Sequence, residues 1–147
     1  MIPALIASPG ISDLLLPAGV HLASLADVQA AFAINSHRFW LFEGLLSAVT
    51  VLLAAGCGRI YLGGSFVTSK PNPSDYDGCW DPVGVDVTKL DPIFIHMPAS
   101  KALQKQRYRG ELWQGRHDIR GLDALPNFFQ QDMRTGARKG ILQIELH

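Results

Sequence analysis

The residues most able to do chemistry are a glycine–serine turn and two aspartates that follow it. Gly63, Gly64 and Ser65 end a short apolar run, and Asp75 and Asp77 stand ten and twelve residues beyond Ser65. A turn of this composition exposes backbone N–H groups that bind phosphate oxygens. On a strand, residues i and i+2 share a face about 6–7 Å apart, so the two carboxylates repel unless a proton or a divalent cation lies between them. Hard oxygen ligands of this kind suit Mg²⁺.

Each half of this pattern also has a purely structural interpretation. The two glycines are equally typical of a tight corner that needs a positive φ, and the stretch fits neither G-x-x-x-x-G-K-[ST] nor G-x-G-x-x-G. An Asp-x-Asp sequence is common in solvated turns, and Pro73 and Ser74 precede this one. The combination favours chemistry, because metal-assisted nucleotidyl or phosphoryl transfer needs a phosphate-binding turn beside a carboxylate pair.

Helices are predicted on both sides of this stretch. Ser24 and Asp27 form a capping-box pattern at the start of "SLADVQAAFA". Asn35 precedes a longer helix, "SHRFWLFEGLLSAVTVLLAAG", whose apolar residues recur at helical spacing and whose Gly56 stands where a C-terminal cap belongs. Ser100 caps a short basic helix, "SKALQKQRY". The segment "FVTSK" after the turn predicts a single helical turn that the following prolines end.

Four strands complete the predicted fold, which is a small α/β (α+β) domain. They are "RIYL" (59–62), "SDYDGCW" (74–80), "LDPIFIHM" (90–97) and "KGILQIEL" (139–146). Their order among the helices predicts a small mixed sheet with helices mainly on one side. Residues 1–20 are predicted to be irregular, and 122–140 are ambiguous between a helical segment and a loop. We expect a single domain over 1–147.

Composition and charge exclude several classes of protein. The 147 residues have a formal net charge of zero, which does not favour bulk attraction to nucleic acid or to a membrane. Residues 1–100 nevertheless hold four Lys/Arg against eight Asp/Glu, and 101–147 hold nine against five. Either the two halves neutralise each other across the fold, or the acidic half holds a cation and the basic half faces phosphate. The two cysteines, Cys57 and Cys79, predict free buried thiols, and no signal peptide or membrane span is expected, which together favour the cytoplasm.

The stretch "GGSFVTSKPNPSDYDGCWD" resembles the signature of the DNA polymerase β-like nucleotidyltransferase superfamily. Within it, the stretch is most similar to a family of short, poorly characterised bacterial nucleotidyltransferase-like proteins. The similarity continues through "LDPIFI", "KQRYRGELW", "FFQQD" and "RKGILQIEL", so it covers most of the chain from about residue 20. The resemblance implies a minimal nucleotidyltransferase fold with a mixed sheet.

The resemblance also implies roles for individual residues. The turn that Gly63 opens would hold the β- and γ-phosphates of an NTP, with Gly64 and Ser65 in contact with phosphate. Asp75 and Asp77 would be the Mg²⁺ ligands. The residues just past the turn that would reach the triphosphate are Thr68 and Lys70.

The expected third carboxylate of the superfamily is missing at the position where we look for it. The resemblance places an acid at the end of "LDPIFI", and this chain has His96 there. A histidine can bind a metal or act as a base, but it is a poorer ligand for Mg²⁺, and a histidine at a strand end is often simply hydrogen-bonded. Glu145 and Asp86 are the substitute candidates for the third acid.

The basic helix offers cations for phosphate. Lys101 and Lys105 are four residues apart and therefore share one face, and Arg107 and Tyr108 follow them. This helix is either a solvated basic surface or a contact for triphosphate or RNA backbone, with Tyr108 available to stack on a base. The loop "TGARKG" (135–140) has the same two interpretations, and the aromatic residues Trp80, Trp113, Phe128 and Phe129 are expected in the core.

The function predicted from these residues is Mg²⁺-dependent transfer of a nucleoside monophosphate from an NTP, such as ATP, to a hydroxyl on a protein or an RNA. Small stand-alone members of the superfamily often belong to toxin–antitoxin or defence pairs, so the resemblance implies a protein partner. One alternative is a nucleotide-binding or protein-interaction module that has lost its third acid, and another is a structural protein with a coincidental Asp-x-Asp. The position of a third acidic side chain discriminates the enzyme from the module.

Overall fold

A computed structural model describes residues 1–115, 117–118, 121–122 and 140–146. It is a mixed α+β fold, as the sequence predicts, with a five-stranded mixed sheet, three α-helices and two separate two-stranded sheets among these residues. The strands are β1 (Ile6–Ser8), β2 (Ile11–Leu15), β3 (Gly19–Ala23), β4 (Arg59–Gly63), β5 (Tyr76–Trp80), β6 (Gly110–Gln114), β7 (His117–Asp118), β8 (Gly121–Leu122) and β9 (Gly140–Glu145).

The five-stranded sheet has the order β3-β9-β4-β5-β6. Strand β4 runs antiparallel to both of its neighbours, β9 and β5. At the two edges of the sheet, β3 runs parallel to β9 and β6 runs parallel to β5. The strands predicted at 59–62, 74–80 and 139–146 are therefore the three central ones. The closing strand β9 pairs with β4 through Ile60 and Ile144, which sets the register of the sheet.

The three helices are α1 (Leu25–Phe32), α2 (Ser36–Ala54) and α3 (Lys101–Tyr108). The predicted capping box is confirmed, because Ser24 and Asp27 exchange side chain–backbone hydrogen bonds at the start of α1. Asn35 caps α2 through the Arg38 N–H, and Gly56 follows the helix with a φ of 96°. Ser100 is the N-cap residue of α3, but its hydroxyl donates to Ile93 O instead of capping the helix.

One face of the sheet carries the main core. The alternation of each strand sends Ile60, Leu62, Tyr76, Trp80 and Leu112 to this face, where they pack with buried residues of all three helices. The opposite face carries a smaller cluster in which Tyr61, Cys79 and Ile141 pack with half-buried Trp113. The helices thus lie on one side, and the alternate residues of β4, β5 and β6 lie on the other. The cysteines are free and buried, as expected.

The prediction of an irregular segment over 1–20 is wrong. Strands β1 and β2 form an antiparallel pair, and β3 begins at Gly19 and joins the main sheet. The three prolines of this segment suggest irregular chain, yet all of them fall between or before the strands, where a missing N–H costs no ladder hydrogen bond.

The prediction of a strand over 90–97 is also wrong. Residues Pro92–Phe94 form a 3-10 turn whose first N–H groups include Ile93, which donates to the Asp91 side chain. A proline fits the first position of such a turn, whereas its missing N–H would interrupt a central strand. The fifth strand of the sheet is instead β6, which the sequence analysis did not predict. Residues 123–139, including Phe128, Phe129 and most of "TGARKG", lie outside the described residues.

Among the described residues, α2 is long and apolar enough, by length and composition, to cross a membrane. No membrane span is expected from the sequence. Of its most apolar 18-residue stretch, 44% is buried inside the fold. Since buried core helices of soluble proteins have the same length and composition, α2 is only weak evidence for a membrane span.

Candidate functional site

Asp77 lies in β5 and Asp75 precedes that strand by one residue. Because Tyr76, Gly78 and Trp80 are buried on the core side, the alternation of the strand turns Asp77 to the opposite face. Asp75 has the same parity along the chain and is largely buried. The predicted placement of both aspartates on one side of one segment therefore agrees with the structure.

The third carboxylate is Glu111, which the sequence analysis missed. It lies in β6, directly opposite Asp77 in the parallel β5–β6 ladder. Its side chain is only 7% exposed. The signal was present in "GELWQ", where Leu112 is apolar and buried while Glu111 and Trp113 flank it on the other face. The segment enters the sequence analysis only within "KQRYRGELW", as part of the resemblance, and no strand is predicted there.

The three carboxylates form a cluster that could hold a divalent cation. One oxygen from each of Asp75, Asp77 and Glu111 lies within 4.8 Å of the other two. Carboxylate oxygens are the ligands that Mg²⁺ and Mn²⁺ prefer in proteins. Three converging oxygens with two of their residues buried fit such an ion, and the residues present would hold it.

The glycine–serine turn lies directly beside this cluster. Gly63 ends β4 opposite Asp77, so the turn begins at the same level of the sheet as the carboxylates. Gly64 has φ 71° and ψ −166°, a conformation almost restricted to glycine. A Cβ at Gly64 would lie 2.7 Å from Asp77 Oδ2, so a side chain at residue 64 would require the Asp77 side chain to move. Ser65 then opens a 3-10 turn over Ser65–Val67, whose first N–H groups have no partner inside the turn.

Arg38 of α2 binds the loop that follows the turn, and its side chain is only 1% exposed. Its guanidinium donates five hydrogen bonds to four backbone carbonyls. Nη1 donates to Phe32 O at 3.1 Å and to Phe66 O at 2.7 Å. Nη2 donates to Thr68 O at 2.7 Å and to Lys70 O at 2.5 Å, and Nε donates to Lys70 O at 3.1 Å. Burial lowers the pKa of the Arg38 guanidinium. The guanidinium thus fixes the path of the chain from the glycine turn towards Asp75.

The two residues predicted to reach the triphosphate from this loop differ in position. The Thr68 side chain is buried, and its hydroxyl donates to Ser65 O at 2.7 Å while accepting the Lys70 N–H at 3.2 Å. The hydroxyl therefore closes the 3-10 turn and is not directed at a ligand, which corrects the expected role of Thr68. Lys70 is exposed, and its backbone carbonyl is one of the acceptors of Arg38.

Lys105 is brought directly into the carboxylate cluster. Its Nζ lies 2.8 Å from Asp75 Oδ2 and 3.1 Å from Glu111 Oε1, and Lys101 Nζ lies 3.7 Å from the same Glu111 oxygen. The shared helix face predicted for the two lysines is therefore the face that meets β6. The hydrogen bonds to Asp75 and to Glu111 raise the pKa of the Lys105 ammonium.

His96 and Arg107 are placed elsewhere, and the expectation that His96 takes the third-acid position is wrong. His96 follows the 3-10 turn of 92–94 and lines a shallow surface pocket together with Asp91, Leu103 and Arg107. Arg107 Nη1 binds Asp91 Oδ2 at 2.7 Å. Since Arg107 is two residues beyond Lys105 on α3, it points to a different side of the helix. Its predicted contact with the triphosphate has no support in this placement.

The substitute candidates for the third acid are also wrong. Glu145 lies on β9, two strands from β5, and binds Arg59 at 2.7 Å. Asp86 is exposed and accepts from both the N–H and the hydroxyl of Thr88. Tyr108, which one of the two interpretations of the basic helix makes available to stack on a base, is buried against Phe94, and its hydroxyl donates to Asp91.

No curated protein and no solved structure matches the chain. A family model does match, over residues 11–145, which include both glycines of the turn and all three carboxylates. That match covers most of the 147 residues. The chain belongs to the family of unknown function DUF6932.

Proposed function

We propose that this chain is a metal-dependent nucleotidyltransferase of the DNA polymerase β-like type. It transfers a nucleoside monophosphate from an NTP to a hydroxyl group of a protein or an RNA. The observation that carries the proposal is Glu111, which adds a third carboxylate to Asp75 and Asp77 beside the Gly63–Ser65 turn. A third acid is the feature that separates the enzyme from a nucleotide-binding module, so its position supports the enzyme.

In this proposal the chain supplies two adjoining parts. Asp75, Asp77 and Glu111 would hold Mg²⁺, which would supply positive charge that stabilises the triphosphate and the leaving group. The Gly64–Ser65 turn holds phosphate oxygens through its backbone N–H groups. Since Gly64 carries no side chain, the turn and the carboxylates remain close enough to serve one triphosphate.

The reaction itself is a substitution at the α-phosphorus. The oxygen of the acceptor hydroxyl forms a bond to this phosphorus, the bond between the phosphorus and the α–β bridging oxygen breaks, and pyrophosphate leaves with that electron pair. The hydroxyl proton passes to a carboxylate oxygen of Glu111 and then to water. Lys105, which contacts two of the carboxylates, provides positive charge near the phosphates.

The test is incubation of the protein with each α-³²P-labelled NTP, Mg²⁺, and separate fractions of cellular RNA and protein. We expect label on one fraction and release of unlabelled pyrophosphate. Asp77→Asn should abolish the transfer, whereas Glu145→Gln should retain it, because Glu145 is a carboxylate of the same sheet that binds Arg59 away from the cluster.

Two outcomes would contradict the proposal. Transfer of label from γ-³²P-labelled NTP, but not from α-labelled NTP, would indicate a phosphotransferase. Absence of transfer from every NTP, in a protein that binds Mg²⁺ and NTP, would favour the non-catalytic module.

A further inference from the structure

The ammonium group of Lys105 contacts two of the three carboxylates that would bind a cation. It contacts Asp75 at 2.8 Å and Glu111 at 3.1 Å, and oxygens of both residues lie within 4.8 Å of an Asp77 oxygen. A divalent cation that binds these oxygens would therefore meet a positive charge already in contact with two of its three ligands. Two cations at such short range repel strongly, because the surrounding protein screens charge less than water does.

The helix that carries Lys105 is fixed relative to the carboxylates. Gln104, fully buried, accepts the Leu112 N–H through Oε1 and donates to Leu112 O, the residue next to Glu111. At the other end of the helix, the Tyr76 hydroxyl donates to Tyr108 O at 2.7 Å. The backbone of α3 is thus tied to both β5 and β6, so the contact of Lys105 with the carboxylates is built into the fold.

The side chain of Lys105, in contrast, is free to change partners. It is 43% exposed, and its four-carbon stem allows the ammonium to move by several ångströms without movement of the helix. Lys101 is one turn earlier on the same face and lies further from Glu111, at 3.7 Å. Lys105 is therefore the lysine whose charge satisfies the carboxylates, and Lys101 is its natural comparison.

We propose that Lys105 is the resident counter-ion of the carboxylate cluster and makes cation binding depend on nucleotide. This inference rests on the proposed function, since it assumes that the cluster takes a divalent cation together with an NTP. When the cation binds, the ammonium leaves Asp75 and Glu111 and binds a phosphate oxygen of the NTP. Without nucleotide the displaced ammonium has no anionic partner, so the cation binds weakly.

The proposal gives Lys105 a thermodynamic role that can be measured. If nucleotide raises the affinity for the cation, then the cation raises the affinity for nucleotide by the same factor. Removal of the ammonium should increase cation affinity in the absence of nucleotide and should reduce this mutual enhancement. A lysine that only bound phosphate would instead lower nucleotide affinity and leave the nucleotide-free cation affinity unchanged.

The experiment measures Mn²⁺ binding to the full chain by electron paramagnetic resonance of the free ion. Wild type, Lys105→Met and Lys101→Met are compared with and without an NTP analogue whose α–β bridge is methylene. We expect Lys105→Met to bind Mn²⁺ about tenfold more tightly than wild type without nucleotide, a coupling of ordinary size. Lys101→Met should stay within about twofold of wild type, and only Lys105→Met should lose most of the enhancement by nucleotide.

The results separate this inference from the proposed function. Tighter nucleotide-free Mn²⁺ binding by Lys105→Met supports the inference even if no NTP is ever transferred, in which case the transferase proposal alone fails. Mn²⁺ affinity that is unchanged in Lys105→Met overturns the inference, even for an active transferase. Equal enhancement by nucleotide in wild type and Lys105→Met overturns it as well.

Discussion

Gly64 and Asp77 approach each other so closely that a Cβ on Gly64 would lie 2.7 Å from Asp77 Oδ2. This contact joins the two halves of the candidate site, because Gly64 belongs to the turn proposed to bind phosphate and Asp77 to the carboxylates. The turn also needs the φ of 71° that glycine adopts without strain. The absence of a side chain at residue 64 therefore permits the short separation between the turn and the carboxylate.

Gly64→Ala should weaken the site and the fold together. The strained φ and the displaced Asp77 should lower the free energy of unfolding by about 1–3 kcal/mol and should lower the affinity for Mn²⁺ with NTP. Gly84→Ala is the control, because Gly84 also has a positive φ of 78° but its Cβ would meet only Gly56 O, at 3.8 Å. Urea denaturation and Mn²⁺ titration of both variants check this, and equal Mn²⁺ affinity in the two would show that the Gly64–Asp77 contact does not shape the site.

Arg38→Met should be strongly destabilising. The variant leaves four carbonyl oxygens of the loop and of α1 without the donor that they share, and buried acceptors without partners cost free energy. We expect a loss of about 3 kcal/mol in the free energy of unfolding. Arg59→Met is the matched control, since Arg59 forms a partly exposed ion pair with Glu145 and should cost under about 1 kcal/mol. Similar losses in both variants would contradict the role given to Arg38.

Asp91 should make the stability of the α3 region depend on pH. Burial alone would raise the pKa of this carboxyl, but hydrogen bonds from the Ile93 N–H, the Tyr108 hydroxyl and Arg107 hold the pKa below its usual value. A lowered pKa in the folded state contributes stability above the unfolded pKa of about 3.9, and this stability is lost as the pH falls through the folded value. Asp91→Asn should thus be less stable than wild type at pH 7, and the difference should shrink in acid. Urea denaturation from neutral pH down to about pH 3 measures it, and a constant difference would contradict the assignment.

The predictable parts of the fold are those that local sequence determines. The capping box of Ser24 and Asp27, the cap at Asn35 and the glycine after α2 all act within a few residues, and each was predicted. The central strands were predicted because glycines and alternating apolar residues mark their ends and faces. Strand β3 was missed because it lies between prolines and a helix cap, and its partner β9 is more than a hundred residues later in the chain.

The candidate site was predictable only in part, for a related reason. Asp75 and Asp77 are neighbours in sequence, so their shared face follows from strand geometry alone. Glu111 joins them through a parallel strand pair, and parallel partners are distant in sequence and leave no local turn signal. Lys105 could be placed on a face with Lys101, but nothing local indicates that this face meets Asp75.

The final prediction separates Glu111 from His96 as the third member of the site. Glu111→Gln keeps the size of the side chain but removes one of three converging carboxylates, so Mn²⁺ affinity in the presence of an NTP analogue should fall at least about tenfold. His96→Asp adds a carboxylate at the position expected from the sequence, but in the fold this position lines a surface pocket with Asp91 and Arg107 and is not part of the carboxylate cluster. Mn²⁺ affinity of His96→Asp should therefore remain within about twofold of wild type, since the new carboxylate lies outside the cluster of Asp75, Asp77 and Glu111. Tighter Mn²⁺ binding by His96→Asp, together with unchanged binding by Glu111→Gln, would return the third-acid position to residue 96 and remove the observation on which the proposed function rests.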